Sequence, residues 1–300
     1  MSFKRLLYNV IKIPLRILLL KTPLFFVLKK RFSNQNQIQN RSFVASFVDF
    51  FFFKEYFSKL KNPQIIRNLT DSTIAEGRGV IWTKEYYDTH FKTYENLKTQ
   101  LCGKITLNEA NPIYSEIINF INNLKLNNSS NLYLIQIGSC SGRDIEFFYN
   151  LFPNLNFIST DIDDEILNFQ KEKYPYKNIN FFKCYAEEID KCFNHYNLQD
   201  KDVILFSVGL LQYIHNYFLN VFFKKINNLK KFNLFIQEPV ATDFLFKNKK
   251  SENRWKSSFS HNYEFFAKDY KIIKKIILQP YEEKKKNVSH YFINISKGYN

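Results

Sequence analysis

A carboxylate and a glycine-rich turn follow two neighbouring apolar segments, and residues of these types at this spacing could bind a nucleoside. The first segment is 132–137, and the turn 138–142, of sequence GSCSG, follows it directly. The second is Phe157-Ile158, and it leads to Asp161. Glycine lets a backbone approach a ligand closely, a helix start offers free N–H groups, and an acid at a strand tip can accept hydrogen bonds from ribose hydroxyls.

The surrounding pattern predicts the elements that must position these groups. An apolar run such as 132–137, without polar alternation, is typical of a strand buried in a parallel sheet. A helix-like segment with Ile145, Phe147 and Phe148 separates the turn from the second run. The order is therefore strand, turn, helix, strand and carboxylate, which brings the turn and Asp161 to one edge of a sheet.

At these residues the sequence resembles the class I S-adenosylmethionine-dependent methyltransferases. The first motif of that family is an acid, any residue, and then Gly-x-Gly-x-Gly. Gly138 and Gly142 match its outer glycines, whereas Gln136 stands at the acid and Cys140 at the middle glycine. Asp161 lies 19 residues beyond Gly142 (161 − 142), where the family has its ribose-binding acid.

The resemblance implies S-adenosyl-L-methionine as the cofactor and a set of binding residues near the strand ends. After the third strand the family often has Asp-Ala, and here Tyr185-Ala186 stands in that place, so that Glu187 could supply the missing carboxylate. Glu187 and Glu188 are equally expected as ordinary first-turn acids of a helix. The implied cofactor-binding residues are Gln136, Gly138, Ser139, Ser141, Gly142, Asp161, Ile162, Ala186, Glu187 and Ser207.

The resemblance covers about residues 108–297 and implies an α/β fold: a Rossmann-like seven-stranded sheet with a C-terminal antiparallel hairpin, preceded by an α-helical N-terminal extension. The runs 272–278 and 288–295 are predicted to form that hairpin. A nicotinamide dehydrogenase is disfavoured, because Gly-x-Gly-x-x-Gly is absent. We predict a basic amphipathic arm over 1–60, a helical lid or approach region over 61–130 and the cofactor-binding domain over 131–300.

The positive charge is concentrated in the arm. Of the net +15, residues 1–60 carry +9 (11 − 2). Within residues 3–31, Arg5, Asn9, Lys12 and Arg16 form a narrow polar stripe on an apolar helix, which suits a membrane interface. An arm packed on the protein's own core or on a partner subunit has the same composition. Charges and prolines interrupt the segment, so neither a spanning helix nor a secretory signal is predicted.

The scattered cysteines show no zinc spacing and fit a reducing compartment. We therefore expect no metal and a cytoplasmic protein, peripheral on the inner face of the membrane if the arm binds lipid. The sequence does not predict the oligomeric state.

Three residues are candidates for the base that removes a proton from a methyl acceptor: His215, Glu238 and His261. The Asn-Pro-Pro-Tyr and Pro-Cys motifs of nucleic-acid methyltransferases are absent, so DNA is not expected. The segment 241–260, with Arg254 and Trp255, suits a sugar or an anionic group. We expect O-methylation of a saccharide or another small or lipid-linked acceptor. An RNA methyltransferase that uses the basic arm, and a non-catalytic scaffold, are the alternatives.

Overall fold

The computed structural model describes residues 63–64, 66–67, 112–124, 131–255, 258–278, 281–283 and 286–299. The arm over 1–60 and most of the predicted lid region therefore lie outside the described residues. The chain divides into two compact units, Met1–Tyr86 with Asn253–Ser258, and Tyr87–Glu252 with Phe259–Asn300. The second unit contains the main sheet.

The elements alternate between helices and strands up to β5 and then become mostly strands. The helices are α1 (Pro112–Asn123), α2 (Arg143–Leu151), α3 (Asp164–Lys173), α4 (Ile189–His195), α5 (Asn216–Ile226) and α6 (Tyr263–Phe266). The strands are β1 (Leu132–Ile137), β2 (Asn156–Asp161), β3 (Ile179–Lys183), β4 (Asp202–Val208), β5 (Lys231–Ala241), β6 (Ser251–Trp255), β7 (Ser258–His261), β8 (Lys271–Ile277), β9 (Tyr281–Glu283) and β10 (Lys286–Lys297).

The main sheet has the strand order β3-β2-β1-β4-β5-β10-β8, and β9 pairs with β10 beside this path. β1 to β5 pair in parallel with one another. β10 lies antiparallel between β5 and β8. The predicted α/β fold, with a seven-stranded sheet and an antiparallel pair of strands at the end of the chain, is confirmed. β9 is an addition that the sequence pattern did not predict.

The strand ends differ most from prediction where the sheet becomes antiparallel. β1 has the predicted bounds, but the apolar run 232–237 predicts a strand that ends at Gln237, and β5 instead continues to Ala241. The reason is its partner, because the long β10 pairs with β5 from Lys297↔Phe232 to Val288↔Ala241. A strand continues as long as a neighbour offers hydrogen bonds, even where its own sequence contains Pro239.

The core consists of two hydrophobic layers, one on each face of the sheet. Leu132 and Leu134 of β1 belong to the layer under α1 and α2, whereas Ile135 and Ile137 belong to the layer under α4 and α5. Burial on both faces explains the continuous apolar runs of the parallel strands. Each fully buried Leu or Ile side chain stabilises the fold by about 1.5–3 kcal/mol. Among the described helices, none combines the length and apolarity that crossing a bilayer requires.

Candidate cofactor and acceptor site

The turn after β1 has an unusual backbone in which three of five residues have positive φ. These angles are 71° at Gly138, 51° at Cys140 and 73° at Gly142. At Gly138 a Cβ would lie 2.3 Å from Leu210 Cδ2, and at Gly142 it would lie 2.7 Å from the ring of Tyr174. Glycine is therefore favoured at both positions for two reasons: the positive φ and the close approach of a neighbouring side chain.

The carboxylate of Asp161 lies directly against this turn. Its Oδ2 accepts a hydrogen bond from the Cys140 backbone N–H at 3.1 Å. Its Oδ1 accepts from the backbone N–H groups of Ile162 and Asp163 at 2.8 and 3.2 Å. A carboxylate can accept about four hydrogen bonds, so these three leave room for a ligand hydroxyl. The turn and Asp161, whose spacing in the sequence indicated one site, are therefore in direct contact at the carboxyl edge of β1 and β2.

Burial controls the charge of this carboxylate. Asp161 is only 9% exposed. Desolvation raises its pKa to about 6, and the backbone N–H groups of Cys140, Asp163 and Ile162 partly oppose the rise. A ligand that donates hydrogen bonds to the ionised form would lower the pKa again.

Two side chains of the β2–β3 connection, Gln170 and Tyr174, brace the turn from behind. Gln170 Nε2 donates to Ser139 Oγ at 2.8 Å and to the Cys140 carbonyl at 2.6 Å. The Tyr174 hydroxyl donates to the Ser141 carbonyl at 3.1 Å. Neither residue was predicted from the sequence. The sequence shows only that each carries a polar group near apolar residues of a helix, and many helices that bind no ligand have such groups.

The site contains a further carboxylate that the motifs did not indicate, Asp144 in the first turn of α2. Gln136 Nε2 donates to Asp144 Oδ2 at 2.7 Å, and the Tyr114 hydroxyl donates to Asp144 Oδ1. Gln136 has replaced the acid of the motif, and the nearby Asp144 restores a negative charge. Gln136 Oε1 is buried and has no hydrogen-bond donor among the described residues. A buried acceptor without a protein donor can accept a hydrogen bond from a ligand.

The remaining cofactor-binding candidates lie at the same edge but are mostly covered. Ala186 and Glu187 form a short 3-10 turn after β3 and are 8% and 6% exposed. The Cys184 N–H donates to the Asp161 carbonyl at 3.0 Å, which holds this turn beside β2. Ser207 is fully buried, and its hydroxyl donates to Glu238 at 3.1 Å. Their contact with a cofactor stays a prediction.

Glu238 on β5 organises the loop that follows β4. Its Oε1 accepts from the Leu211 backbone N–H at 2.9 Å and from Ser207 Oγ, while its Oε2 accepts from the Gln212 backbone N–H at 3.2 Å. The side chain is completely buried, and burial raises its pKa to about 7 despite these donors. These contacts make Glu238 an anchor for a loop.

The two candidate histidines are also buried and engaged. His261 Nδ1 lies 2.7 Å from Ser251 Oγ, and its Nε2 lies 3.0 Å from the Ile214 carbonyl. Desolvation lowers the pKa of His261 to about 3, so the ring is neutral and, with Nε2 donating to the carbonyl, Nδ1 accepts from the serine. His215 caps α5, because its Nδ1 accepts from the Tyr217 N–H at 3.1 Å. The predicted role of either as a base stays a prediction.

The cysteine of the turn is not an activated nucleophile. Burial, followed by the charge of Asp161, raises the pKa of the Cys140 thiol to about 12. A thiol is nucleophilic mainly as its thiolate, so this group is inert near neutral pH. Cys140 therefore contributes backbone groups to the site: its N–H binds Asp161 and its carbonyl binds Gln170.

Comparison with known proteins gives a likeness at the level of the fold. No family model and no curated protein matches the sequence. Among solved structures, the Burkholderia thailandensis 1,6-didemethyltoxoflavin-N1-methyltransferase, with bound 1,6-didemethyltoxoflavin and S-adenosylhomocysteine, is 12% identical with a TM-score of 0.42, over 71% of this chain and 87% of that one. A putative sarcosine dimethylglycine methyltransferase from Galdieria sulphuraria is 10% identical with a TM-score of 0.45, over 62% of this chain and 83% of that one.

A third similar structure is a SAM-dependent methyltransferase from Anabaena variabilis, 12% identical with a TM-score of 0.43, over 64% of this chain and 85% of that one. At these identities and scores the comparisons say nothing about what this chain does. The assignment of the fold rests on its own strand order and on the antiparallel β10. This is the fold of the class I S-adenosylmethionine-dependent methyltransferases.

Proposed function

We propose that this chain is an S-adenosylmethionine-dependent methyltransferase. The observation that supports the proposal most strongly is the contact between the turn and the strand-tip acid, the Cys140 N–H to Asp161 Oδ2 at 3.1 Å. It lies at the carboxyl edge of parallel strands, where α/β proteins bind their ligands. A carboxylate held against a glycine-rich turn suits a nucleoside, because the ribose hydroxyls can donate to the acid.

Three groups of this chain would hold the cofactor. Asp161 would accept from the ribose hydroxyls through its remaining acceptor position. Gln136 Oε1, which is buried without a donor among the described residues, and the neighbouring Asp144 would receive the ammonium group. The bound cofactor would supply the electrophilic methyl group. The residues of the chain would position it and keep water from the reacting atoms.

The acceptor would enter beside the loop that Glu238 and His261 hold. Glu238 fixes the backbone of Leu211 and Gln212, and His261 fixes the carbonyl of Ile214, so both act on the same short segment. Neither side chain is exposed to an entering acceptor. We therefore assign both to positioning, with His215 as the cap of the following helix. A hydroxyl acceptor would therefore need a proton acceptor other than these three buried side chains.

A small hydroxyl compound, such as a saccharide or a lipid-linked molecule, is the acceptor we propose. Support comes from the sequence, through the aromatic and basic segment 241–260 and the absence of nucleic-acid methyltransferase motifs. Action at a membrane surface is part of the same proposal and depends on residues 3–31, outside the described residues.

The first test is calorimetric titration of the full chain with S-adenosylhomocysteine. We expect one site with micromolar affinity and a strong loss in Asp161→Asn. Asp164→Asn is the matched control, because Asp164 is 65% exposed and pairs with Lys183 at the surface. The absence of binding to the intact protein would contradict the proposal.

A cofactor-binding protein without transfer is the second candidate. The observation that favours it is the burial of Glu238, His215 and His261, which leaves no candidate base open to an acceptor. Transfer of a labelled methyl group to a panel of hydroxyl acceptors distinguishes the two. Binding of S-adenosylhomocysteine with no transfer to any acceptor would favour the second candidate.

A further inference from the structure

Three lysines lie near one another around α5 and α6, and one of them, Lys250, precedes Ser251 in the chain. Lys250 Nζ donates to Asn220 Oδ1 of α5 at 2.6 Å. The same ammonium group lies 4.5 Å from the ring centre of Phe266 and 5.6 Å from that of Phe265. Lys250 therefore bridges the two helices through a neutral amide and aromatic rings.

The other two lysines flank this bridge. Lys224 follows Asn220 by one turn of α5, and residues four apart lie on the same helix face. Lys268 comes two residues after the end of α6, which carries Phe265 and Phe266. Both are exposed. Burial first, and then the charges of Lys268 and Lys224, lower the pKa of Lys250. The charges of Lys224 and Lys268 therefore both repel the charge of Lys250.

Nearby lysines are paired, in contrast to these three. Lys247 contacts Asp243 and Glu252, and Lys249 contacts Glu252. Among the described residues, Lys224, Lys250 and Lys268 form no ion pair with a carboxylate, including Asp269 beside Lys268. A cluster of like charges destabilises the folded chain, and an external anion would relieve this.

Aromatic residues close to these lysines in the chain are exposed. Phe265 is 49% exposed and Tyr217, three residues before Asn220 on α5, is 37% exposed. Phe246, four residues before Lys250, is 86% exposed. Aromatic rings beside unpaired lysines are typical of surfaces that lie at the headgroup level of a bilayer.

We propose that this surface binds a bilayer that contains anionic lipid. We call it the lysine face, defined by Lys224, Lys250, Lys268, Phe246, Phe265 and Tyr217. A bilayer is favoured over nucleic acid because two of the aromatic groups are phenylalanines without a polar atom, and one of them is almost fully exposed. The residues of the lysine face belong to the unit that contains the main sheet and are other than residues 3–31, and lipid binding there does not require methyl transfer.

The test measures sedimentation of the full chain with phosphatidylcholine vesicles, with and without phosphatidylglycerol. The triple variant Lys224→Gln, Lys250→Gln, Lys268→Gln should bind the anionic vesicles about a hundredfold more weakly, at the strength usual for three lysines near such a surface. The control Lys230→Gln, Lys274→Gln, Lys275→Gln removes the same charge from lysines that have carboxylate partners, and it should bind like the wild type.

A second variant tests the apolar part. Phe246→Ser with Phe265→Ser keeps the charge and should weaken vesicle binding even in high salt. Equal losses in the lysine variant and its control, or wild-type binding by the lysine variant, would overturn the proposal. So would a loss of binding to single-stranded RNA, or to inorganic phosphate, without a loss to vesicles. Calorimetry with S-adenosylhomocysteine on each variant separates these results from misfolding and from failure of the proposed cofactor site.

Discussion

Asp161 and Glu238 are both carboxylates at or near the carboxyl ends of parallel strands, yet their surroundings differ. Asp161 lies at the rim, 9% exposed, where its oxygens bind the backbone of a turn and one acceptor position remains. Glu238 is fully buried, and its oxygens accept from two backbone N–H groups and a hydroxyl of the β4 region. Burial raises the pKa of both, to about 6 and about 7.

The comparison teaches that position at a strand end does not determine the role of an acid. Both carboxylates accept three hydrogen bonds from the protein, and what differs is access. Asp161 lies at the rim where a ligand can reach it, whereas Glu238 is fully enclosed. We therefore propose that the half of the edge formed by β1 to β3 binds the ligand, whereas the described contacts of β4 and β5 hold a loop.

The largest expected effect is a loss of stability in Glu238→Gln. At pH 7.5 the introduced amide would place its NH₂ group against the backbone N–H of Leu211 or Gln212, so that one of these N–H groups loses its acceptor. This loss should lower the free energy of unfolding by about 2–3 kcal/mol. Affinity for S-adenosylhomocysteine should change little. Urea unfolding and calorimetry measure both quantities, with the more exposed Glu264→Gln as the control. Unchanged stability with lost methyl transfer would instead make Glu238 the base.

Asp161→Asn, in contrast to Glu238→Gln, should change the affinity for S-adenosylhomocysteine more than the stability. Losing charge-assisted hydrogen bonds should weaken S-adenosylhomocysteine binding by about thirtyfold, equivalent to about 2 kcal/mol. Asp164→Asn should bind as the wild type. If both variants bind equally well, Asp161 has no contact with the cofactor and the comparison between the two acids fails.

The pH dependence of binding should follow Asp161. Its pKa of about 6 is above the usual 3.8, so the acid is protonated in the free protein below that pH. If only the ionised form binds the ribose hydroxyls, affinity falls as pH is lowered, by about tenfold between pH 7 and pH 5. Calorimetry in buffers of different ionisation enthalpy also detects the proton released on binding. A flat profile over this range would contradict the assignment.

The raised pKa of Asp161 has the opposite effect on stability: lowering the pH weakens cofactor binding but stabilises the folded chain. Since the folded chain binds this proton more tightly than the unfolded chain, the contribution of Asp161 to stability is present below pH 3.8 and is lost as pH rises through about 6. Glu238 acts in the same direction between pH 4.5 and about 7. Unfolding free energies of Glu238→Gln should therefore depend less on pH over this range than those of the wild type.

The smallest effect concerns Cys140, whose φ of 51° is left-handed. This conformation costs a residue with a Cβ about 1 kcal/mol that glycine avoids. Cys140→Gly should therefore be more stable than Cys140→Ala by about that amount, although both lose the thiol. Thermal or urea unfolding of the pair checks the sign. A more stable alanine variant would show that the turn relaxes without the sulfur.

The local pattern was sufficient to predict the geometry of the candidate cofactor half of the site. The apolar run of β1, the turn with Gly138 and Gly142 and the distance to Asp161 depend on neighbours in sequence, and the structure has them where the pattern indicated. The antiparallel end of the sheet was predictable for the same reason, since two strand-like runs joined by a short polar connection pair with each other.

The acceptor half could not be predicted in this way. The sequence shows that Glu238, His215 and His261 are polar and near strand or helix ends, but not that Ser207, Leu211 and Gln212 surround Glu238 or that Ser251 binds His261. Those contacts join residues 10 to 31 positions apart in the chain.

The replacement of the motif acid shows the same division. Sequence determined that Gln136 is not an acid, and only the tertiary structure placed Asp144 and Tyr114 beside it. The physical reason is that hydrogen-bond partners of buried polar groups are selected by packing across the sheet. The conformation of the turn and the apolar run of β1 are selected locally, so they could be predicted without knowing the neighbours, whereas the length of β5 depended on its partner β10.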